Sequence, residues 1–501
     1  MRKYILTVAA VAIVFNSCRK ENISALSSAA FSSAENSTAV IFKVARVLGS
    51  NMVVQRNKPF TVWGTAVSGS TIAVQASWNT NVFTAVSDSA GNWSVIIPAA
   101  AANADPQTLE VKENGIVKST FTNILIGDVW LCSGQSNMDM PVDSTGPWPF
   151  YEGVTNYQQE IADANYPLLR LVKIKTDFKN KPVTDLSYLA NWSVCSPATV
   201  KAYSAVAYFF GRKLTADLNV PIGLVVSSVG GTSCEAWTQK ETIQADPVLN
   251  AYYSGKNFSS QLFNGMINPL KNLSLRGFTW YQGENNRHDS PAVNYTNLNA
   301  AMIGNWRNTF NQGSLPFYYV QMTPYDENFF NGSKPSDYDY AIFREAQQNV
   351  RTIAANSGMA VTMDVGDEVR IHPRNKRPVG ERLALLAMNK EYALPVQSSG
   401  PVYASFTSQL YKARILFKPG TADGLSTSDG NPVKQYFYAA GTDHIFRKCK
   451  AIIHNKTIII TAPAATPLPI LAVRYAFTNY PITNLQNSAG LPAEPFRTDD
   501  W

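Results

Sequence analysis

Short runs of alternating apolar and polar residues fill the chain after residue 40. Examples are 60–63 and 71–74, and Gly, Asn, Ser and Asp separate the runs. Alternation with a period of two between turn residues predicts antiparallel strands. We therefore expect a β-sandwich-like domain over 41–123, and this segment contains no candidate catalytic constellation.

Between 124 and 392 the pattern changes to apolar segments that alternate with amphipathic ones. Strands are expected at 126–131, 222–227, 277–281, 317–322 and 359–363. Apolar stripes with helical spacing are formed by Val206, Phe210, Leu214 and Leu218, and by Phe343, Ala346, Val350 and Ile353. This alternation predicts the α/β class, with a parallel sheet covered by helices.

Alternating runs return after Pro401, for example at 413–417 and 457–460, and Gly and Pro interrupt them. This pattern again predicts strands. We expect a C-terminal β region over 393–501 that packs on the α/β domain. The chain contains no internal repeat.

The N-terminus has the pattern of an export signal. Met1-Arg2-Lys3 is followed by an apolar stretch over 4–15 and then by Asn16-Ser17-Cys18. The stretch is shorter than the roughly 20 apolar residues that a membrane-spanning helix needs, and no later segment is long enough. We therefore expect no membrane-spanning segment.

Cys18 follows a small residue and resembles the lipobox cysteine of bacterial lipoproteins, although Phe15 and Asn16 depart from its usual pattern. The resemblance implies a signal peptide over 1–18 that ends at a lipid-modified Cys18. The Ser- and Ala-rich segment 19–40 is then a flexible tether. Ordinary cleavage that discards Cys18 is the alternative.

Composition narrows the class of protein. At 501 residues the chain is long enough for roughly three folding units. Charged residues make up 16% and hydrophobic residues 45%, which is typical of a large globular enzyme. The net charge of +7 is spread along the chain without a long run of Lys or Arg, so no nucleic-acid partner is expected.

Neither a metal nor a cofactor is expected. The cysteines after residue 18 match no zinc-binding spacing, and no segment resembles a glycine-rich nucleotide loop. No disulfide pairing is assigned to these cysteines, which are Cys132, Cys195, Cys234 and Cys449.

Two polar motifs directly follow expected strands, where ligands bind in open α/β sheets. In the first, 134–138, glycine permits a sharp turn and Ser136 is the candidate nucleophile, although a simple helix cap is the alternative. In the second, 228–232, Gly230 and Gly231 allow backbone N–H groups to approach a ligand closely.

A third motif, 280–286, contains Gln282, Glu284 and Asn286. Its amides and carboxylate suit hydrogen bonds to an oxyanion or to sugar hydroxyls. We expect Gln282 and Glu284, together with Gln135 of the first motif, to contact substrate.

His372 in the fourth motif, 371–373, is the candidate base, because a serine nucleophile needs a base of near-neutral pKa. The chain has only 4 histidines. His444 and His454 fall in the C-terminal β region, and His288 is near the third motif.

These motifs resemble the blocks of SGNH hydrolases, and specifically of sialate O-acetylesterases. The matching sequences are GQSNM at 134–138, GGT at 230–232, WYQGE at 280–284 with Asn286, IHP at 371–373 with Asn375-Lys376, and VGERLA at 379–384. Further resemblance lies at 51–56, 344–347, 472–476, 490–493 and 495–499. The blocks occur in the family's order and cover nearly the whole exported chain.

The resemblance implies an SGNH, flavodoxin-like, three-layer α/β/α hydrolase domain over 124–392. It makes Ser136 the nucleophile and His372 the general base. The expected oxyanion hole consists of the Ser136 N–H, the N–H of Gly230 or Gly231, and the Asn286 amide.

The acid that orients His372 is not fixed by the resemblance. Many SGNH enzymes carry Asp three residues before the histidine, where this chain has Val369. We favour Asp367, because a loop of that length can fold back on the imidazole, with Asp364 and Glu368 as alternatives. A backbone carbonyl that holds His372, in a Ser–His dyad, is the competing hypothesis.

The implied function is a serine esterase that hydrolyses O-acetyl esters of carbohydrates through an acetyl-enzyme, with O-acetylated sialic acid as the favoured substrate. Acetylxylan or another glycan is the alternative within the same chemistry. A non-catalytic glycan-binding lipoprotein is the alternative of another class. The expected partner is an O-acetylated glycan, and the expected location is the bacterial cell envelope, on the periplasmic or cell-surface face, attached only through an N-terminal lipid.

Overall fold

A single strand of 19 residues, Ile116–Gly134, links the N-terminal β segments to the central sheet of the protein. The computed structural model describes residues 41–147, 150–289, 291–326 and 338–501. Cys18, the expected signal peptide and the expected tether lie outside these residues. The predicted boundary between 123 and 124 falls inside this continuous strand.

The strands, numbered in chain order, are β1 Lys43–Val44, β2 Val53–Gln55, β3 Phe60–Thr65, β4 Thr71–Ala76, β5 Val82–Val86, β6 Asn92–Ile97, β7 Asn103–Glu113, β8 Ile116–Gly134, β9 Tyr166–Lys173, β10 Ser193–Cys195, β11 Ile222–Ser228, β12 Gly277–Tyr281, β13 Phe317–Val320, β14 Ser357–Ala360, β15 Tyr403–Gln409, β16 Lys412–Phe417, β17 Ser426–Thr427, β18 Phe437–Ala440, β19 Arg447–Lys448, β20 Lys450–His454, β21 Thr457–Thr461, β22 Ala472–Tyr475, β23 Leu485–Gln486 and β24 Phe496–Arg497.

The helices are α1 Ser136–Asp139, α2 Tyr157–Ala162, α3 Pro197–Val200, α4 Ala205–Leu218, α5 Lys240–Ala245, α6 Pro247–Tyr253, α7 Val293–Phe310, α8 Asp339–Ile353 and α9 Arg377–Lys390. Short turns of other helical types occur at Cys234–Trp237, Phe263–Ile267 and Asn268–Leu270. Among the described residues, no helix has both the length and the apolar character to cross a membrane.

The central sheet has the strand order β10-β9-β11-β8-β12-β13-β14. From β9 to β14 all neighbours are parallel, and β10 pairs antiparallel with β9. The protein therefore has a mixed α/β fold. In this register Gly134 at the end of β8 lies between Ser228 of β11 and Tyr281 of β12, so the segments that follow all three strands start at the same edge.

Both faces of the central sheet are buried, as parallel sheets require. Side chains along a strand alternate between faces, and β8 shows this clearly. Val129 and Leu131 enter one apolar cluster, whereas Trp130 and Cys132 enter a second cluster that contains the buried side chains of α4 and α9. The site-bearing strands are thus held rigidly from two sides.

Two groups of antiparallel strands flank this sheet in sequence. Before it, β7, β4 and β5 extend the sheet from the first half of β8, and β1, β3 and β6 form a separate sheet. After it, β15-β16-β21-β20, β19-β18-β22-β24 and the pair β17-β23 form small sheets. Arg497 pairs with Glu345 at 2.9 Å, and Glu494 pairs with Arg351 at 2.5 Å, so ion pairs connect the chain end to α8.

The predicted strands agree with the structure except at their ends. The strand predicted at 277–281 is confirmed with the same bounds, and the strand predicted at 222–227 ends one residue later, at Ser228. The strand expected at 359–363 lies instead at Ser357–Ala360. Its start was missed because Ser357 and Gly358 give no apolar signal, although Gly358 is buried where an added Cβ would approach Tyr318 and Leu386.

Candidate active site

Ser136 and His372 face each other across a hydrogen bond. The Nε2 atom of His372 lies 2.8 Å from the Oγ atom of Ser136. Ser136 is the first residue of α1, directly beyond the end of β8. The preceding turn requires glycine, because Gly134 has φ +141° and an added Cβ would lie 2.1 Å from the Tyr281 carbonyl oxygen.

The surroundings of His372 keep its ring neutral. Burial and then the positive charge of Lys376 lower the pKa of His372 to about 4. At neutral pH the imidazole therefore has a free lone pair for the Ser136 proton. Tyr151, which sequence reasoning did not single out, packs edge-on against the ring with a centroid distance of 5.1 Å and donates to the Ser136 carbonyl at 3.4 Å.

The structure does not bring Asp367 to His372, contrary to the favoured prediction. Its Oδ1 atom accepts from the backbone N–H groups of Val369 and Arg370, both at 3.0 Å, so the carboxylate closes its own turn. The two carboxylate oxygens of Asp364 instead accept from the two terminal nitrogens of the Arg382 guanidinium, at 2.7 and 2.6 Å. Within the described residues, the Nδ1 atom of His372 has no hydrogen-bond partner.

Glu368, the other alternative acid, does not contact the imidazole in any hydrogen bond of the described residues. Its carbonyl oxygen accepts from the Asp326 N–H at 3.1 Å. The remaining histidines of the C-terminal β region are also elsewhere: His444 stacks on Trp501 at 4.1 Å, and His454 contacts Arg414 at 3.2 Å.

The glycine turn of the second motif lies beside Ser136. A Cβ added to Gly230 would lie 3.5 Å from the Ser136 Cβ, and Gly231 has φ +70°. Among the backbone hydrogen bonds of the turns, loops and helix caps that the structure describes, none is donated by the N–H of Ser136 or of Gly230. Gly230 itself thus packs against Ser136.

Asn286 does not offer a free donor to this space, and its predicted oxyanion role needs correction. Its Nδ2 group donates to the carboxylates of Glu235, at 3.0 Å, and Asp289, at 3.2 Å. Its Oδ1 atom accepts from the Cys234 N–H at 2.9 Å and from Gln282 at 2.7 Å. The orientation is fixed, because a backbone N–H can only donate and ionised carboxylates only accept.

The three predicted substrate contacts are buried beneath the site. Gln135, Gln282 and Glu284 are 2%, 1% and 3% exposed. The Gln282 amide donates to the Gln135 Oε1 atom at 3.1 Å and to the Thr232 carbonyl at 3.3 Å. Their hydrogen bonds are thus made to protein groups, and the geometry does not favour direct substrate contact.

The third motif instead supports the glycine turn of the second. Asn285 donates to the Gly231 carbonyl at 2.6 Å, and Gln282 and Asn286 bind the carbonyl of Thr232 and the N–H of Cys234. Side-chain amides therefore bind three backbone groups between Gly231 and Cys234. Spacing in the sequence gave no signal for these pairings, which join residues about 50 positions apart.

The described residues contain no cluster of His, Cys, Asp or Glu side chains that could hold a metal ion. The four cysteines after residue 40 are all buried and unpaired.

Comparison with known proteins gives consistent matches. The family model for the carbohydrate esterase, sialic acid-specific acetylesterase domain matches residues 126–389. Sialate O-acetylesterases from Homo sapiens and Mus musculus are each 28% identical, cover 92% of this chain, and are themselves covered over 94% and 95% of their lengths. A solved carbohydrate acetylesterase from Xanthomonas citri is 34% identical with a TM-score of 0.82, over 92% of this chain and 100% of that one.

The low pKa of His372 predicts that its ring stays neutral from about pH 7.5 to about pH 5.5, because protonation sets in only near pH 4. NMR of protein labelled with ¹³C-histidine measures this directly, with a His372→Gln variant to identify the resonance. A titration midpoint near the ordinary histidine pKa of about 6.5 contradicts the prediction.

Proposed function

This chain belongs to the carbohydrate esterase family of sialic acid-specific acetylesterases, and from that membership we propose that it deacetylates O-acetylated sialic acid with Ser136 as nucleophile and His372 as base. The protein is an esterase that hydrolyses O-acetyl esters of sialic acid or other glycans. The single observation that supports the residue assignment is the 2.8 Å contact between Ser136 Oγ and His372 Nε2.

In the first step Ser136 Oγ attacks the acetyl carbonyl carbon while His372 Nε2 takes the hydroxyl proton. The carbonyl π electrons move to oxygen, which becomes the oxyanion. When this intermediate collapses, the ester C–O bond breaks and the imidazolium returns its proton to the departing sugar oxygen. The products of this half-reaction are the deacetylated sugar and acetyl-Ser136.

In the second step water attacks the acetyl-enzyme, with His372 again as the base. The proton on the imidazole then passes to Ser136 Oγ as the acyl C–O bond breaks, and acetate leaves. No acid on Nδ1 is required for this proton balance. The proposal is therefore a Ser–His dyad, with Asp367 engaged in its own turn.

For the oxyanion we propose the N–H groups of Ser136 and of Gly230 or Gly231. The support is the position of the glycine turn beside the nucleophile and the φ of Gly231. Asn286 contributes indirectly, because it holds the N–H of Cys234 and thereby the end of the turn. Preorganised backbone donors of this kind stabilise the developing charge without rearrangement during the reaction.

We also propose the finer architecture: a three-layer SGNH hydrolase domain over 124–392, with β regions over 41–123 and 393–501. The parallel sheet and its two buried faces support the layers. Ser136 follows the end of β8, a central strand of that sheet, at the edge where open α/β sheets bind ligands.

Sialate is favoured over other glycans because the family model and the curated relatives are described by that substrate. The more identical structural relative is described only as a carbohydrate acetylesterase, which keeps other acetylated glycans as the second candidate. A non-catalytic glycan-binding protein is not favoured, because the serine and histidine are within hydrogen-bond distance.

A Ser136→Ala variant is expected to lose at least roughly 10³-fold in kcat on 9-O-acetylated sialic acid, because the attacking atom is removed. Acetate release by purified protein is the measurement, with acetylated xylan as comparison substrate. Ser133→Ala is the matched control: Ser133 is fully buried in β8 and its Oγ has no hydrogen-bond partner among the described residues. Retained activity in Ser136→Ala contradicts the nucleophile assignment, and preference for xylan contradicts the substrate.

We propose export with lipid attachment at Cys18, on the strength of the charged start, the apolar stretch and the small residue before the cysteine. In a bacterial host that processes lipoproteins, labelled fatty acid is expected to enter the full chain and to be absent from Cys18→Ala. Equal labelling of both, or labelling of neither, contradicts this location.

A further inference from the structure

One hydrogen bond joins the residue after Ser136 to the residue before His372. The Asn137 amide nitrogen donates to the Ile371 carbonyl oxygen at 3.0 Å. Because Asn137 and Ile371 are the immediate chain neighbours of Ser136 and His372, this bond fixes the separation of the two peptides that carry the nucleophile and the base.

Two oppositely charged side chains hold the Asn137 amide in place. Glu284 accepts from the Asn137 nitrogen, and Lys376 donates to the Asn137 oxygen. A carboxylate must face the amide nitrogen and an ammonium group must face the oxygen, so the amide cannot flip. Asn137 and Lys376 are 0% exposed and Glu284 is 3% exposed, which places this charged pair entirely inside the protein.

Such an arrangement is unfavourable for stability alone. Removing two charges from water is energetically costly, and apolar residues of similar volume often stabilise a fold as well or better. Burial raises the pKa of Glu284 and lowers the pKa of Lys376 to about 7. One Glu284 oxygen has no hydrogen-bond partner within the described residues, so the carboxylate is not fully satisfied.

The imidazole itself lacks the usual support. Its Nδ1 atom has no partner in the described chain, and Asp367 and Asp364 are engaged elsewhere. The main chain on either side of His372 is restrained instead. Ile371 is held by Asn137, and Pro373 restricts the backbone of the residue before it to extended conformations.

We propose that Glu284, Asn137 and Lys376 are positioning residues that hold His372 against Ser136 through the main chain. In Ser-His-Asp triads a carboxylate on the imidazole has this orienting function. This inference rests on the proposed function, because it assumes that Ser136 and His372 react. None of the three touches the reacting atoms; Asn137 sets the distance between them, and the two charges set the orientation of Asn137.

The central test is Asn137→Asp, which keeps the shape but replaces the donor with an oxygen that Glu284 and the Ile371 carbonyl both repel. We expect kcat on 9-O-acetylated sialic acid to fall roughly 10- to 100-fold, the range that misplacement of a catalytic group produces. KM is expected to stay within about twofold, since binding is not altered.

The matched control is Asn264→Asp. Asn264 is also buried and donates to a backbone carbonyl, that of Lys179 at 2.9 Å, and none of its hydrogen bonds among the described residues involves Ser136 or His372. The same isosteric change there is expected to leave kcat unchanged. Equal loss of kcat in both variants means general destabilisation and overturns the inference.

A second pair of variants keeps the test valid if Asn137→Asp fails to fold. Glu284→Gln retains an acceptor for Asn137 and is expected to lose only a few-fold in kcat, whereas Glu284→Leu removes the acceptor and is expected to approach the loss of Asn137→Asp. An unchanged kcat in Glu284→Leu, with the protein folded by circular dichroism, overturns the inference.

The Lys376→Met variant provides a measurement, the pH dependence of kcat/KM, that a purely structural role of Lys376 leaves unchanged. The Lys376 charge lowers the pKa of His372, so its removal raises that pKa. The acid limb of kcat/KM is therefore expected to shift to higher pH, together with a lower kcat. An unchanged limb and an unchanged kcat overturn the role of Lys376.

Failure of the inference is distinguishable from failure of the proposed function. If Ser136→Ala is inactive while the Asn137, Glu284 and Lys376 variants have normal kcat, the dyad stands and the positioning role is wrong. If Ser136→Ala keeps its activity, the proposed function itself is wrong.

Discussion

The parallel register of three neighbouring strands is the constraint on which the site depends. Gly134, Ser228 and Tyr281 align at the ends of β8, β11 and β12, and both faces of the sheet are packed with apolar side chains. Ser136, the glycine turn and the amide-rich motif therefore start from one edge of the sheet. Only glycine allows β8 to turn so close to the Tyr281 carbonyl and to present Ser136 toward His372.

Buried hydrogen bonds restrain the loops that follow these strands. Side-chain amides after β12 bind the backbone of the glycine turn. A further hydrogen bond, from Asn137 to the Ile371 carbonyl, joins the segments that carry Ser136 and His372. Hydrogen bonds in a low-dielectric interior are electrostatically stronger than in water. Such preorganisation lowers the cost of placing a proton acceptor and oxyanion donors around a carbonyl group, which is the requirement of ester hydrolysis.

Sequence reasoning predicted the order of the elements and the pairing of Ser136 with His372, because apolar periodicity and motifs at strand ends are local signals. It did not predict the hydrogen-bond partners of Asp367 and Asn286, because these are determined by the folded loops. Asp367 accepts from an N–H group of its own turn, and Asn286 donates its amide N–H groups to Glu235 and Asp289. It also gave no role to Lys376, since no sequence pattern indicates that a lysine directly before a helix is fully buried.

We propose that His372 makes the Ser136 hydroxyl a nucleophile. The most direct measurement is reaction of the purified protein with a fluorophosphonate, followed by peptide mass spectrometry and by assay of the remaining esterase activity. We expect one adduct, on Ser136, and activity that falls in proportion to its occupancy. Activity lost with the adduct on another residue, or full activity with Ser136 modified, would contradict it.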